Sequence, residues 1–328
     1  MQRITLHNTG VQTSRLGFGC VSLTTHPRPR DAIRVLHSAF DAGVTHFDTA
    51  RLYGSGRSEV ILGEFLKDVR DRVTLTSKFG LFPSNPLRGF PVLLNLAKGV
   101  VRRSALARRI ARRTVGSGPM PAGRYSPADA RLSLETSLRA LGTDRIDFFM
   151  LHCAGPSDAA RDDLNAFLES QISRGTIRAF GPSSEVHTLG LDAGAFPSSH
   201  RVVQLDSNAA VPNMRRLRNT AGRDFVTFGV IGQAKRWAAA AAASPAVVAR
   251  HRDLLGFDPT DPSALGRELL VDALDANPHG LVIFGSMSPE RAKANAAAAD
   301  LRPDPVRLGA LAKLLSDLDV SGSAQPGH

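Results

Sequence analysis

Residues 127–152 read PADARLSLETSLRALGTDRIDFFMLH. Apolar residues recur near every 3.6 positions through the first part, which predicts a helix over 127–141. Ser126 stands before Pro127 as an N-cap followed by proline at the first helical position. Gly142 follows, where a helix-ending glycine belongs. RIDFFMLH (145–152) is then a short run of β-forming residues, apolar on both sides and ending in a histidine. A strand apolar on both faces reads as a parallel strand covered by helices.

The same kind of strand recurs along the chain. It is found at 15–20 (RLGFGC), 44–50 (VTHFDTA), 72–79 (RVTLTSKF), 145–152, 176–184 (TIRAFGPSS), 201–208 (RVVQLDSN), 224–232 (DFVTFGVIG) and 280–286 (GLVIFGS). Helices are predicted at 31–42, 58–69, 127–141, 160–174, 263–276 and 289–299, the last opened by Ser288-Pro289. Eight strand-and-helix units predict an α/β fold, a (β/α)8 TIM barrel. Residues 2–14 predict a β-hairpin under the barrel. Long loops follow strand three (81–125) and strand seven (233–262). No composition shift marks a second domain, so the expectation is one domain over 1–318 and a disordered tail at 319–328.

Composition narrows the class. The chain has 328 residues, 42% hydrophobic and 22% charged. That is enough for a sizeable core and excludes disorder throughout. Cys20 and Cys153 cannot form a disulfide framework, and free thiols suit a reducing cytosol. Neither a secretory leader nor a run of 18 apolar residues is visible, so a cytoplasmic protein without a membrane span is expected. The net charge of +11 invites a nucleic-acid reading. Nine basic and no acidic residues lie within 81–124, however, so that segment accounts for most of the excess. No nucleic-acid recognition motif accompanies it.

Barrel enzymes carry their reacting groups at the C-terminal strand ends. That places Asp48 at the end of the second strand with Tyr53 in the following loop, Lys78 at the end of the third and His152 at the end of the fourth. Taken singly, each reads as a cap, a packing residue or a solvated charge. Together they suit carbonyl–alcohol chemistry. A phenol has an ordinary pKa of about 10. A nearby ammonium lowers it, and a carboxylate fixes that ammonium. A histidine opposite can donate to a carbonyl oxygen. With no activated nucleophile and no metal-ligand set, redox chemistry needs a hydride carrier.

At these residues the chain resembles the aldo/keto reductase superfamily. The resemblance lies in GVTHFDTARLYGSGRSEVILGEFL (43–66), RVTLTSKFG (72–80), SLETSLRALGTDRIDFFMLHC (133–153), GTIRAFGPSS (175–184), VVQLDSN (202–208) and LVIFGSMSPERAKAN (281–295), in the family's order. It implies that Tyr53 is the proton donor, that Lys78 lowers its pKa, that Asp48 braces Lys78 and that His152 orients the carbonyl. It implies a nicotinamide cofactor, NADP(H) favoured and NAD possible, bound without a Gly-rich fingerprint. Ser183, Ser184 and Gln204 match the carboxamide-binding positions, and Phe228 the ring-stacking one. Ser286, Arg291 and Asn295 match the adenosine and 2′-phosphate end.

The chain departs from the family pattern at four places. Ser184 replaces the usual Asn, Phe228 the usual Tyr, and Gly229-Val230 the usual Ser-Pro. Position 285 is Gly where many members place Lys or Arg, which keeps NAD-dependent oxidation of a sugar or alcohol open as an alternative. A third reading makes the chain a cofactor-binding regulatory protein using its basic insert. Segment 91–113 (PVLLNLAKGVVRRSALARRIARR) reads first as a solvated basic helix, next as a cover over the mouth, and last as a membrane-surface helix. The expected partner is a small carbonyl or alcohol substrate, with no nucleic acid and no stable membrane association. A monomer is the expected state. Trp237 reads evenly as a substrate contact or as packing.

Overall fold

A computed structural model describes residues 1, 3–82 and 123–318. The basic segment 91–113, most of the insert 81–125 and the tail 319–328 lie outside the described residues. Ten strands are present among those described. β1 (Arg3–Thr5) and β2 (Gln12–Ser14) form an antiparallel hairpin. The other eight are β3 (Leu16–Gly19), β4 (His46–Asp48), β5 (Thr74–Phe79), β6 (Ile146–His152), β7 (Ile177–Ser184), β8 (Val202–Asp206), β9 (Asp224–Phe228) and β10 (Leu281–Phe284). They close into a parallel barrel in chain order, β10 pairing with both β3 and β9. This is the expected (β/α)8 barrel. The strands begin or end up to four residues inside their expected bounds.

Two apolar layers hold it together. Inside the barrel, Phe148, Met150, Ala179, Val202, Val226, Leu281 and Ile283 fill the lumen, with Leu6 and Val11 of the hairpin closing its floor. Outside it, Phe18, Phe47, Phe79, Phe149 and Phe180 are fully buried between strands and helices. Phe79 stacks on Phe149 at 4.7 Å. Each such side chain contributes roughly 1.5–3 kcal/mol on burial. Asp224, first residue of β9, accepts four hydrogen bonds from Asn8 and Thr9 and so pins the hairpin turn to the barrel.

The helices follow their sequence signals. Helix Pro127–Leu141 is capped by Ser126 Oγ, which accepts from Asp129 N at 3.1 Å. It ends at Gly142, whose φ of 63° favours glycine. The 233–262 connection is helical rather than open. It carries Ala234–Ala243 and Pro245–Leu255, and buries Trp237 in the outer core. Packing is therefore the observed role of that tryptophan. A further helix, Pro305–Asp317, has no counterpart in the sequence reading. Leu308, Leu311, Leu314 and Leu315 give its buried face, and Asp304 caps it. His251 Nε2 meets Asp317 Oδ2 at 2.9 Å, joining it to helix Pro245–Leu255.

Candidate active site

The C-terminal strand ends bring Asp48, Tyr53, Lys78 and His152 together. Lys78 Nζ donates to Asp48 Oδ1 at 2.5 Å, to the Thr49 carbonyl at 3.0 Å and to Tyr53 Oη at 3.3 Å. All three ammonium protons thus have an acceptor. Register explains the meeting. Asp48 pairs with Thr76 across β4 and β5, so Lys78 projects one repeat beyond it on the same face.

Tyr53 is placed by a tightly wound turn. Gly54, Ser55 and Gly56 have φ of 56°, 57° and 88°. A Cβ on Gly54 would come within 2.6 Å of Thr24, so this turn needs glycine there. Arg51 closes over Gly56 and reaches the fully buried Glu59 at 3.1 Å. Glu59 also accepts from Ser77 Oγ at 2.8 Å, which ties the tyrosine turn to the lysine strand.

His152 ends β6 opposite Ser183 of β7. Its ring stands edge-on to that of Tyr53, with centroids 5.8 Å apart. Burial, helped by the Lys78 charge, holds its pKa down at about 3, so the ring is neutral near pH 7. Burial raises Tyr53 above its ordinary value although Lys78 pulls the other way. The lysine acts in the expected direction, but desolvation outweighs it, and the phenol keeps its proton. Lys78 is itself lowered by burial, yet Asp48 and Tyr53 lift it above its ordinary value overall. The ammonium stays charged.

The cofactor candidates fall into two groups. Gln204 Nε2 donates to Asp48 Oδ2 at 2.8 Å, and Ser183 Oγ donates to Gln204 Oε1 at 2.6 Å. These two therefore continue the tetrad network. Ser184 Oγ is committed to the Ala154 carbonyl at 3.0 Å. Phe228, half-buried, ends β9. Across the barrel, Ser286 Oγ donates to the Ser288 carbonyl, and Ser288 caps helix Pro289–Ala296 by accepting from Arg291 N. Arg291 is exposed and Asn295 half-buried. An amide, hydroxyls, an aromatic face and a guanidinium at a helix start fit the carboxamide, ring and phosphate of a dinucleotide.

The sequence reading passed over two contributors. The Thr49 carbonyl is backbone, which no side-chain pattern reveals. Tyr125, at the far foot of the insert, donates to the His152 carbonyl at 2.5 Å. Its signal is an aromatic residue just before the Ser126-Pro127 cap. A cavity of about 250 Å³ opens among arginines at the opposite end of the barrel, but Arg70 and Arg178 there are bonded to Asp147, and Arg145 to Asp71.

A parallel eight-stranded barrel with these four residues at one mouth defines the class, and comparison with known proteins gives the family. A model of the aldo/keto reductase family matches residues 15–221, and the chain belongs to that family. A probable aldo-keto reductase from Glycine max is 37% identical over 100 residues, a match spanning 28% of this chain and 29% of that protein. Among solved structures, an aldo-keto reductase from Bacillus halodurans in its holo form aligns with TM-score 0.66 at 21% identity, covering 96% of each chain. One from Klebsiella pneumoniae in complex with NADPH gives TM-score 0.66 at 19% identity, again over 96% of each. A glycerol dehydrogenase from Gluconobacter oxydans gives 0.68 at 16% identity, over 99% of this chain and 98% of its own. At such identities the structural likeness speaks for the fold.

Proposed function

We propose that this chain is an NADP(H)-dependent oxidoreductase that interconverts an aldehyde or ketone and its alcohol. The carrying observation is Lys78 Nζ bonded at once to Asp48 and to Tyr53 Oη, with a neutral imidazole edge-on to the phenol. Nicotinamide supplies the hydride when bound. Ser183 and Gln204 would hold its carboxamide, Phe228 its ring, and Ser286, Arg291 and Asn295 the adenosine end.

The protein's own part is proton handling and orientation. The uncharged His152 ring can donate to the substrate oxygen without bringing a second cation into a site that already holds Lys78. Tyr53 is protonated at neutral pH and delivers that proton as negative charge develops on the oxygen. Lys78 stabilises the phenolate left behind, and Asp48 keeps Lys78 charged and in place. In the oxidative direction the same phenolate removes the alcohol proton. Gly285 supports the alternative of NAD-linked oxidation, because no side chain at that position favours a 2′-phosphate. The chain is read as one cytoplasmic domain over 1–318, acting as a monomer on a small molecule. Among the described residues no helix is long and apolar enough to cross a membrane.

Tyr53→Phe is the direct test. With an activated aromatic aldehyde and NADPH, turnover should fall by about 10²- to 10⁴-fold, the usual worth of a general acid. Undiminished turnover would sink the assignment.

A further inference from the structure

We infer that Tyr125 is a positioning residue that aims the His152 imidazole from behind, through the backbone; this rests on the function proposed above. The ring of His152 has little of its own to hold it. Its Nδ1 is buried without a hydrogen-bond partner among the described residues. In many sites a partner on that nitrogen fixes a histidine's orientation. Here the backbone takes over that task. The His152 carbonyl accepts the Tyr125 hydroxyl at 2.5 Å, and the next residue, Cys153, adopts φ 60° with its N–H on the Ser183 carbonyl at 2.8 Å. A left-handed non-glycine residue beside a reacting group persists only where its surroundings over-determine it.

Tyr125 is itself firmly seated. It is 6% exposed, and its ring stands edge-on to Phe79 at 6.2 Å. It lies so close on Gly80 that a Cβ there would come within 2.1 Å of it. Gly80 has φ 105°, and its carbonyl accepts Arg124 N at 2.8 Å. Gly80 lies two residues beyond Lys78. One buried phenol therefore ties the end of the lysine strand to the end of the histidine strand. Burial pushes its pKa up, with Asp158 and Cys153 acting in the same direction, so the hydroxyl keeps the proton it donates.

The test pairs Tyr125→Phe with Phe79→Leu. The first removes the hydroxyl and keeps the ring. The second loosens the ring's packing and keeps the hydroxyl. In the full chain, Tyr125→Phe should lower kcat/KM for the aldehyde about tenfold, the equivalent of one hydrogen bond of roughly 1.4 kcal/mol, with the Kd for NADPH within twofold. Phe79→Leu, which keeps the hydroxyl and its bond, should lower kcat/KM by a clearly smaller factor and leave the Kd within twofold. Independently of turnover, the ¹⁵N resonances of the His152 ring, assigned by their loss in His152→Gln, should move in Tyr125→Phe and move less in Phe79→Leu. Unmoved resonances, an unchanged kcat/KM, or equal losses in the two variants would overturn the inference. Full activity in Tyr53→Phe would instead overturn the reading of the tetrad, and the resonance comparison would still decide the role of Tyr125.

Discussion

The two walls of the barrel mouth are built on different plans. On the β4–β8 side, Asp48, Lys78, Ser183 and Gln204 are buried and bonded to one another across the fold, Gln204 reaching Asp48 over 156 positions of sequence. On the β10 side, the side-chain bonds of Ser286 and Ser288 run two or three residues along the chain, and Arg291 is exposed. The first wall is interlocked, so removing one member strands another inside. The second is a short-range helix cap with the exposed Arg291 standing off it, replaceable without disturbing the rest. The proposed chemistry sits on the rigid wall, and the proposed choice between NADP and NAD on the adjustable one.

The largest expected effect therefore belongs to the interlocked wall. Lys78→Met removes the ammonium and leaves the Asp48 carboxylate buried with only the Gln204 amide. Stranding one partner of a buried ion pair costs about 3–5 kcal/mol. Unfolding in urea should show that loss, and aldehyde turnover should fall by at least about 10²-fold. A variant as stable as the unmodified chain would mean that the walls do not differ as described.

The same contrast explains what could be read beforehand. The barrel is legible because each strand is a compact apolar run and some of the helices carry their own caps, as at Ser126-Pro127 and Ser288-Pro289. The tetrad followed from a positional rule, that strand ends at one face converge. Helix Pro305–Asp317 lies beyond the eighth strand-and-helix unit, where the repeating pattern no longer asks for one. The partners of the tetrad were hidden for another reason. The Thr49 carbonyl carries no side-chain signal, and the bond from Tyr125 to His152 depends on how the chain returns from the insert. Desolvation was invisible too. The sequence places Lys78 beside Tyr53 and so suggests a lowered phenol pKa, whereas burial takes it upward.

Acid should separate the buried side from the exposed one by an intermediate amount. His46 lies fully buried below the tetrad, its ring nitrogens 2.9 Å from Thr74 Oγ1 and 3.0 Å from Thr76 Oγ1. Burial, with Lys78 adding to it, holds its pKa down at about 3 against an ordinary 6.5. The unfolded chain binds that proton more readily than the folded one. The stabilisation is thus complete above about pH 6.5 and is lost as pH falls toward 3, by up to ~1.4 kcal/mol per pH unit. His46→Gln removes this titration. In urea unfolding at pH 7, 6 and 5, the stability gap between the two proteins should narrow steadily toward acid. A constant gap would show that His46 does not carry the depressed pKa.

The smallest expected effect lies on the adjustable wall. Arg291 is exposed, so any contact with a 2′-phosphate is made partly in water and screened by salt. Its worth should be near 1 kcal/mol, or about a fivefold change in Kd. Arg291→Ala should weaken NADPH by that factor and leave NADH and the urea midpoint where they were. The direction of the difference matters more than its size. If both cofactors weaken together, the guanidinium meets a part they share, such as the pyrophosphate. If neither moves, the glycine at 285 and the exposed arginine together describe a site that does not discriminate, and oxidation with NAD becomes the better account of the reaction.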